Sequence, residues 1–267
     1  MTDLEEHSFW KITTGDSPLA ATAIHDGHEV REEVAEILAL TSAERLREED
    51  PFTGRWTAVA ATRIIGRRSR FEVDLNRPRQ KAVYIEPEDA WGLHVWKENP
   101  PPELIERSLV GYDVFYASVR SALTDLVKRF GCFVVFDLHS YNHRRGGVSA
   151  PPADAAGNPE VNIGTGTMVN TRWRPLINRF IDDLRNYDFL GRRLDVRENI
   201  KFKGGEFSRW IHESFPDSGC SLAIEFKKFF MDEWSGQPDD LQTDSITQAL
   251  QHTIPGVLGE LKKFHTI

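Results

Sequence analysis

The sequence predicts an α/β fold, a three-layer sandwich with helices on both faces of a mixed but mostly parallel sheet. Three observations point there. Short apolar runs rich in β-branched residues alternate with longer amphipathic stretches along the whole chain. The longest amphipathic stretch, residues 104–130, runs directly into the apolar Cys132-Phe133-Val134-Val135-Phe136, as a parallel strand covered on both faces requires. Three of the short runs also carry a polar side chain at their C-terminal end: His25, His139 and Glu225.

In chain order, residues 19–25 read as a strand that stops at His25-Asp26-Gly27-His28. Residues 30–40 place Val30, Val34, Ile37, Leu38 and Leu40 near helical spacing. Residues 57–65 are apolar and turn into a basic Arg67-Arg68-Ser69-Arg70 segment. Phe71, Val73 and Leu75 alternate with Glu72, Asp74 and Asn76, a period of two that predicts a half-buried strand. The long helix over 104–130 gathers Tyr112, Phe115, Tyr116, Val119, Leu123 and Leu126 near one face. Residues 141–159, rich in Gly, Pro and Ala, read as one long loop directly after a strand, where α/β proteins keep functional groups. Beyond it come an amphipathic segment at 175–187, a helix opening over 204–214, a short buried strand at 221–226, and a closing helix over 246–265 broken at Pro255.

A chain of 267 residues with 40% hydrophobic side chains holds enough apolar material for a core, and residues 1–267 are expected to form a single domain. The formal charge of −8 without a basic run argues against a nucleic-acid partner. No stretch approaches the ~20 apolar residues of a membrane span, and residues 1–7 are acidic where a signal peptide is basic. Two cysteines, Cys132 and Cys220, both beside apolar runs, read as buried reduced thiols, and the expected compartment is the cytoplasm.

Strand C-termini of an open α/β sheet converge on the ligand crevice. Imidazoles and carboxylates gathered there match what zinc takes, with one position left for water. His25 and His139 end separate strands and are the first candidates. His28 and Glu29 follow His25 closely, and either one can instead cap the next helix. Asp137 is a candidate to orient His139, but the pair is given little weight on the expectation that they face opposite sides of the sheet. Arg77, with Asn76 beside it, offers a planar fork for a carboxylate, and Arg70 is a second such group; both arginines can alternatively pair with Glu72 or Asp74. Glu225 interrupts an apolar strand and needs a partner, either a metal-bound water or a cation such as Lys227 or Lys228. Lys203-Gly204-Gly205 before a helix offers backbone donors to an anion or is an ordinary turn.

Taken in order, several stretches resemble the N-formylglutamate amidohydrolase family, related to zinc carboxypeptidases and aspartoacylase. They are Ala23-Ile24-His25-Asp26-Gly27, Arg47-Glu48-Glu49-Asp50, Ser69-Arg70-Phe71-Glu72-Val73-Asp74-Leu75-Asn76-Arg77, Phe136-Asp137-Leu138-His139-Ser140, Val161-Asn162-Ile163-Gly164-Thr165, Asn199-Ile200-Lys201-Phe202-Lys203-Gly204-Gly205, and Ala223-Ile224-Glu225 with Met231-Asp232-Glu233. The resemblance implies a phosphorylase/hydrolase-like fold of the zinc carboxypeptidase kind. It also implies one Zn2+ per chain and hydrolysis of a carbon–nitrogen bond in a small, anionic N-acylated amino acid. On the family pattern His25 and His139 are metal ligands and Glu225 is the general base. The third ligand is Asp50, with His28 held as substitute ligand or substrate contact, because His28 stands where zinc carboxypeptidases carry a Glu. Asn76 and Arg77 match the pair that holds a substrate carboxylate, Arg70 assists, and Arg209 corresponds to an Arg for a second acidic group. Two departures stand out: Ile24 replaces the usual proline, and Tyr141-Asn142-His143-Arg144-Arg145-Gly146-Gly147 differs from the family's loop. His143, Arg144 and Arg145 either touch the substrate or form a solvated turn. Rival readings are a carboxypeptidase-like amidase for a peptide or cell-wall fragment, and a non-catalytic carboxylate-binding protein of the same fold.

Overall fold

The computed structural model describes residues 9–168 and 171–265; the acidic start at 1–7 lies outside the described residues. Its strands are β1 (Trp10–Thr13), β2 (Leu19–Ala23), β3 (Thr62–Gly66), β4 (Phe133–Tyr141), β5 (Val161–Gly164), β6 (Val196–Glu198) and β7 (Gly219–Lys227). They join one seven-stranded sheet in the order β1-β3-β2-β4-β7-β5-β6. The pairs β3–β2, β2–β4, β4–β7 and β5–β6 are parallel, while β1–β3 and β7–β5 are antiparallel. The helices are α1 (Glu32–Ile37), α2 (Ser42–Glu48), α3 (Thr53–Trp56), α4 (Pro102–Phe130), α5 (Arg174–Asn186), α6 (Glu206–Ser214) and α7 (Asp240–Lys262).

Strand alternation sorts the core into two layers. Val134, Phe136 and Leu138 of β4 pack with α3, α5 and α7 through Trp56, Phe180 and Leu250. Phe133 and Val135 point the other way, into Phe115, Val119, Phe207 and Ile211 of α4 and α6. Burying each such aromatic or aliphatic side chain contributes roughly 1.5–3 kcal/mol. On the α4/α6 face the next two β4 residues are Asp137 and His139, so the apolar layer gives way to polar side chains toward the C-terminal edge. The expected sandwich and its mixed, mostly parallel sheet are present, and β2, β4 and β7 lie side by side with their C-terminal ends together.

Local expectations differ in instructive places. No strand forms over 71–76; the segment is a run of turns, with Phe71, Glu72, Val73, Asp74 and Leu75 all buried. Its period of two came from acids that face protein partners, not solvent: Glu72 accepts from Arg31 N and Nε at 2.8 Å each. Pro255 does not break the last helix, since α7 runs through it. The lost hydrogen bond and ring clash cost ~3 kcal/mol. They are offset by apolar packing on both sides of the proline, from Ile246, Ala249 and Leu250 to Val257 and Leu261. At Gly256 a Cβ would collide with Asp183 and Arg179, so the glycine lets α7 approach α5 closely. Strands β1, β5 and β6 and helix α2 had no sequence signal above, being three to seven residues long.

One buried group makes stability depend on pH. His212 of α6 receives a hydrogen bond from Ser221 N at Nε2 (3.0 Å), and its Nδ1 lies 3.0 Å from Thr167 Oγ1, so it is held neutral. Burial pushes its pKa down from 6.5 to about 4, against the hydrogen bonds, which raise it. The unfolded chain therefore binds a proton between those values that the folded chain refuses. Stability is lost as pH falls from about 6.5 to about 4, by ~3 kcal/mol in all. Urea unfolding across that window should show a steeper loss in the wild type than in His212→Leu. Parallel pH profiles would refute this account.

Candidate functional site

The C-terminal ends of β2, β4 and β7 open onto a cleft of about 340 Å³. His25 sits in the turn that leaves β2, His139 inside β4, and Glu225 directly beside His139 in the parallel β4–β7 register. The rings of His25 and His139 are 5.2 Å apart, centroid to centroid. Asp50 completes the group from the connection between α2 and α3. Its Oδ2 lies 3.0 Å from His139 Nδ1 and 3.4 Å from His25 Nδ1. All three residues are buried, with one ligand atom from each within 4.8 Å of the others. This group can hold a metal ion.

Several contacts fix Asp50 in place. Its backbone N–H donates to His25 O at 2.9 Å, which lays the connection across the end of β2. From the far side the buried Lys228 donates to Arg47 O at 2.6 Å and Glu49 O at 2.7 Å. Burial lowers the Lys228 pKa, and the nearby Asp50, Glu48 and Glu233 raise it against that burial. Lys228 lines the cleft as well. Sequence reasoning considered it only as a partner for Glu225; its signal was a lysine set in Phe226-Lys227-Lys228-Phe229-Phe230.

Each imidazole has a carboxylate behind it. His25 Nε2 is hydrogen-bonded to Asp74 Oδ1 at 2.7 Å. His139 Nε2 lies 3.1 Å from Asp137 Oδ1, a hydrogen-bond length without a hydrogen-bond angle. The expectation that Asp137 and His139 face opposite sides is therefore wrong: residues two apart in a strand share a face. Burial opposes charge on all of these groups. Even so, His139 and His25 hold the Asp50 carboxyl well below its ordinary range, and Arg70 with His25 and Tyr84 does the same for Asp74. Asp137 and Asp50 lift the His139 pKa well above the usual histidine value against its burial.

Glu225 behaves differently. Among the described residues it takes no hydrogen bond and no ion pair. Lys227 instead donates to Asn158 O, and Lys228 to the α2–α3 connection, so neither expected cation reaches it. Burial pushes its carboxyl up to about 8, His139 pulls it down, and Asp50 and Asp137 push it up further. An unpartnered acid facing a cleft beside a candidate metal group is a marker of function.

The remaining candidates divide. Asn76 and Arg77 line the cleft. Asn76 Oδ1 accepts from Phe207 N at 2.9 Å, and Asn76 O accepts from Glu206 N at 3.3 Å. Those bonds cap α6 and leave the Nδ2 donors of Asn76 without a partner among the described residues. Gly205 is required here, because a Cβ would strike the Asn76 side chain, and Gly204 adopts φ +105°. With Asn76 on two of its amides, the start of α6 is not the open anion site that Lys203-Gly204-Gly205 suggested. Arg77 is loosely held, 3.9 Å from Asp74 and 43% exposed, so its fork is available. Arg70 is the opposite: its guanidinium donates to Asp74, Tyr84 and Glu48 O and lies over Trp91. Two candidates are not brought to the cleft. His28 bonds Glu49 at 2.5 Å and Ser42 at 2.7 Å, outside the metal group. Arg209 pairs with Glu206 and lines a separate hollow with His212 and Trp173. In the loop after β4, His143 and Arg144 give their backbone N–H groups to Glu233, while Asn142 and Arg145 line the cleft, the latter paired with Glu48 at 2.8 Å.

Among the described residues no helix is long and apolar enough to cross a membrane. A search of curated proteins finds no match. The structure is similar to an N-formylglutamate amidohydrolase from Ralstonia eutropha, at TM-score 0.71 and 16% identity over 97% of this chain and 98% of that one. It is similar to a gene product of Agrobacterium tumefaciens at TM-score 0.69 and 15% identity, with the same coverage. At those identities the likeness concerns the fold. The N-formylglutamate amidohydrolase family model matches residues 17–231, the segment that supplies every side chain of the cleft. The chain therefore belongs to the N-formylglutamate amidohydrolase family, a family of hydrolytic enzymes.

Proposed function

We propose that this protein hydrolyses the amide bond of a small N-acylated amino acid, with N-formylglutamate as the leading substrate, and that it does so with one zinc ion. The observation that carries the reading is the convergence of His25 Nδ1, His139 Nδ1 and Asp50 Oδ2 beside an unpartnered Glu225. Ligand atoms 2.0–2.1 Å from a tetrahedral zinc stand about 3.3 Å apart, and the separations to Asp50 Oδ2 are 3.0 and 3.4 Å. Asp74 behind His25 holds the proton on Nε2 and frees Nδ1 as a donor. The donor set and its supporting carboxylates fit the metal.

When bound, zinc supplies Lewis acidity toward a carbonyl oxygen and a water acidified to a pKa of about 7. The protein's own groups do the rest. Arg77 and the free Nδ2 of Asn76 bind the substrate carboxylate and set the acyl carbon over the cleft floor. Glu225 accepts the proton of the attacking water on its carboxylate and returns it to the leaving nitrogen. Arg70, saturated by its partners, is a fixed positive charge that keeps Asp74 ionised behind His25. Arg145 ties the long loop to Glu48 at the cleft wall, which favours a small substrate over a peptide. The two buried thiols suit a reducing, cytoplasmic setting.

The test compares zinc-loaded wild type and Arg77→Met on N-formyl-L-glutamate and on the same compound with its carboxylates amidated. The free acid should be preferred, and Arg77→Met should raise its KM about tenfold or more with little change in kcat, because binding common to ground and transition states is lost. Equal turnover of both compounds by the wild type would remove the carboxylate clamp from the reading.

A further inference from the structure

The polar patch beneath the metal group extends away from the cleft, on side chains that touch neither it nor any substrate. Asp137 is fully buried, and both its oxygens are used. Thr22 Oγ1 of β2 donates to Oδ1 at 2.9 Å, and Ser208 Oγ of α6 donates to Oδ2 at 3.0 Å. Ser208 Oγ also lies 2.9 Å from Ser221 Oγ of β7, whose backbone N–H is the donor to His212. Thr22, Ser208 and Ser221 are each 0% exposed.

This patch replaces apolar core. One step down the same sheet face, Ala20, Phe133 and Val135 meet Phe207 and Ile211. Had the aspartate no task, apolar residues of similar volume in all four places would be as stable or more so, because buried charges are desolvated at a cost. A carboxylate retained there, with a hydroxyl on each oxygen, has a fixed plane, and the group lying against it is the ring of His139.

We propose that Ser208 and Thr22 are positioning residues for the metal centre. Their hydroxyls fix the Asp137 carboxylate, whose Oδ1 lies 3.1 Å from His139 Nε2, so that its charge behind the ring keeps Nδ1 toward Asp50, where an ion would be held. This rests on the metal reading of His25, Asp50 and His139 given above. A carboxylate against a metal-ligating imidazole, the place of Asp137, alters metal affinity by about 10–100-fold when removed, and Ser208 and Thr22 act one step behind it, through that carboxylate.

The experiment measures zinc affinity by chelator competition, and the visible spectrum after cobalt substitution, for the wild type, Ser208→Ala, Ser208→Thr and Thr22→Val. Thermal unfolding of each metal-free protein runs alongside. Ser208→Ala and Thr22→Val should each weaken zinc binding about tenfold and shift the cobalt bands. Ser208→Thr, which keeps the hydroxyl, should restore both. A merely structural role lowers the metal-free melting temperature and leaves affinity and spectrum unchanged. Affinities within twofold of wild type in Ser208→Ala and Thr22→Val would overturn the proposal while leaving the metal centre intact. A wild type that binds no zinc would instead remove the metal reading itself. Should Ser208→Ala fail to fold, Thr22→Val decides the matter by the same readings.

Discussion

Replacing His139 with alanine should release the metal and abolish amide hydrolysis. Removing one of three converging donors is expected to weaken zinc binding roughly a thousandfold or more, since the protein then holds the ion by two groups. Elemental analysis of the purified protein measures this directly. An independent readout is thermal: at a zinc concentration 100 times the dissociation constant, the wild type gains about 2.7 kcal/mol of stability, and the variant gains almost none. The metal-free variant should also be less stable than the metal-free wild type, because Asp50 and Asp137 lose the imidazole that lies 3.0 and 3.1 Å from them. Asp50→Asn removes the anionic ligand with little change of shape, and it should lose metal too. Stoichiometric zinc in His139→Ala and Asp50→Asn would mean that the ion binds elsewhere.

Glu225→Gln should do the reverse, keeping its metal and losing its rate. General acid–base groups contribute about 10²–10⁴-fold, so kcat should fall by that order while zinc content stays at one per chain. The pH profile gives a second check. A base works only when deprotonated, so wild-type kcat/KM should rise with pH on the acidic side, and Glu225→Gln should lose that limb. A flat wild-type profile from mildly acidic to neutral pH, or unchanged turnover in the variant, would exclude Glu225 as the base. In the metal-free protein the same residue has a stability signature. Burial raises its carboxyl from 4.5 to about 8, so the folded state holds a proton that the unfolded chain has released. Stability should be fully present below about pH 4.5 and decline as pH rises to about 8. The sign is opposite to that of His212, and Glu225→Gln should remove the decline.

Much of this site was readable in residues 25, 139 and 225, because each is a polar residue placed where an apolar strand should continue or end. The long helix α4, followed at once by β4, was readable for a related reason: its periodic apolar face and the apolar run after it are local patterns. Asp50 was chosen over His28 only by resemblance: His28 had the local signal, three residues after His25, and Asp50 lay in a polar stretch with none. The folded chain separates them, placing Asp50 against both imidazoles and turning His28 toward Glu49 and Ser42. Residues 71–76 misled for a physical reason. Alternation predicts a strand only if the polar positions face water, whereas Glu72 and Asp74 are buried against Arg31 and against His25, Arg70 and Tyr84.

By itself, then, the sequence determined the alternating α/β layering, the strands that carry His139 and Glu225, and the kinship that ties them to hydrolysis. The layering and the strands rest on the period of side chains along single segments, and the kinship on the resemblance of several short stretches in order. That Asp50 rather than His28 joins His25 and His139 in the candidate metal group, that Asp137 lies against His139, that Asn76 caps α6, that Lys228 holds the Asp50 connection, and that Arg209 stands apart were decided only by tertiary structure. Those facts are distances between segments dozens of residues apart, and a hydrogen bond or ligand bond is made or lost within an ångström that no spacing along the chain encodes.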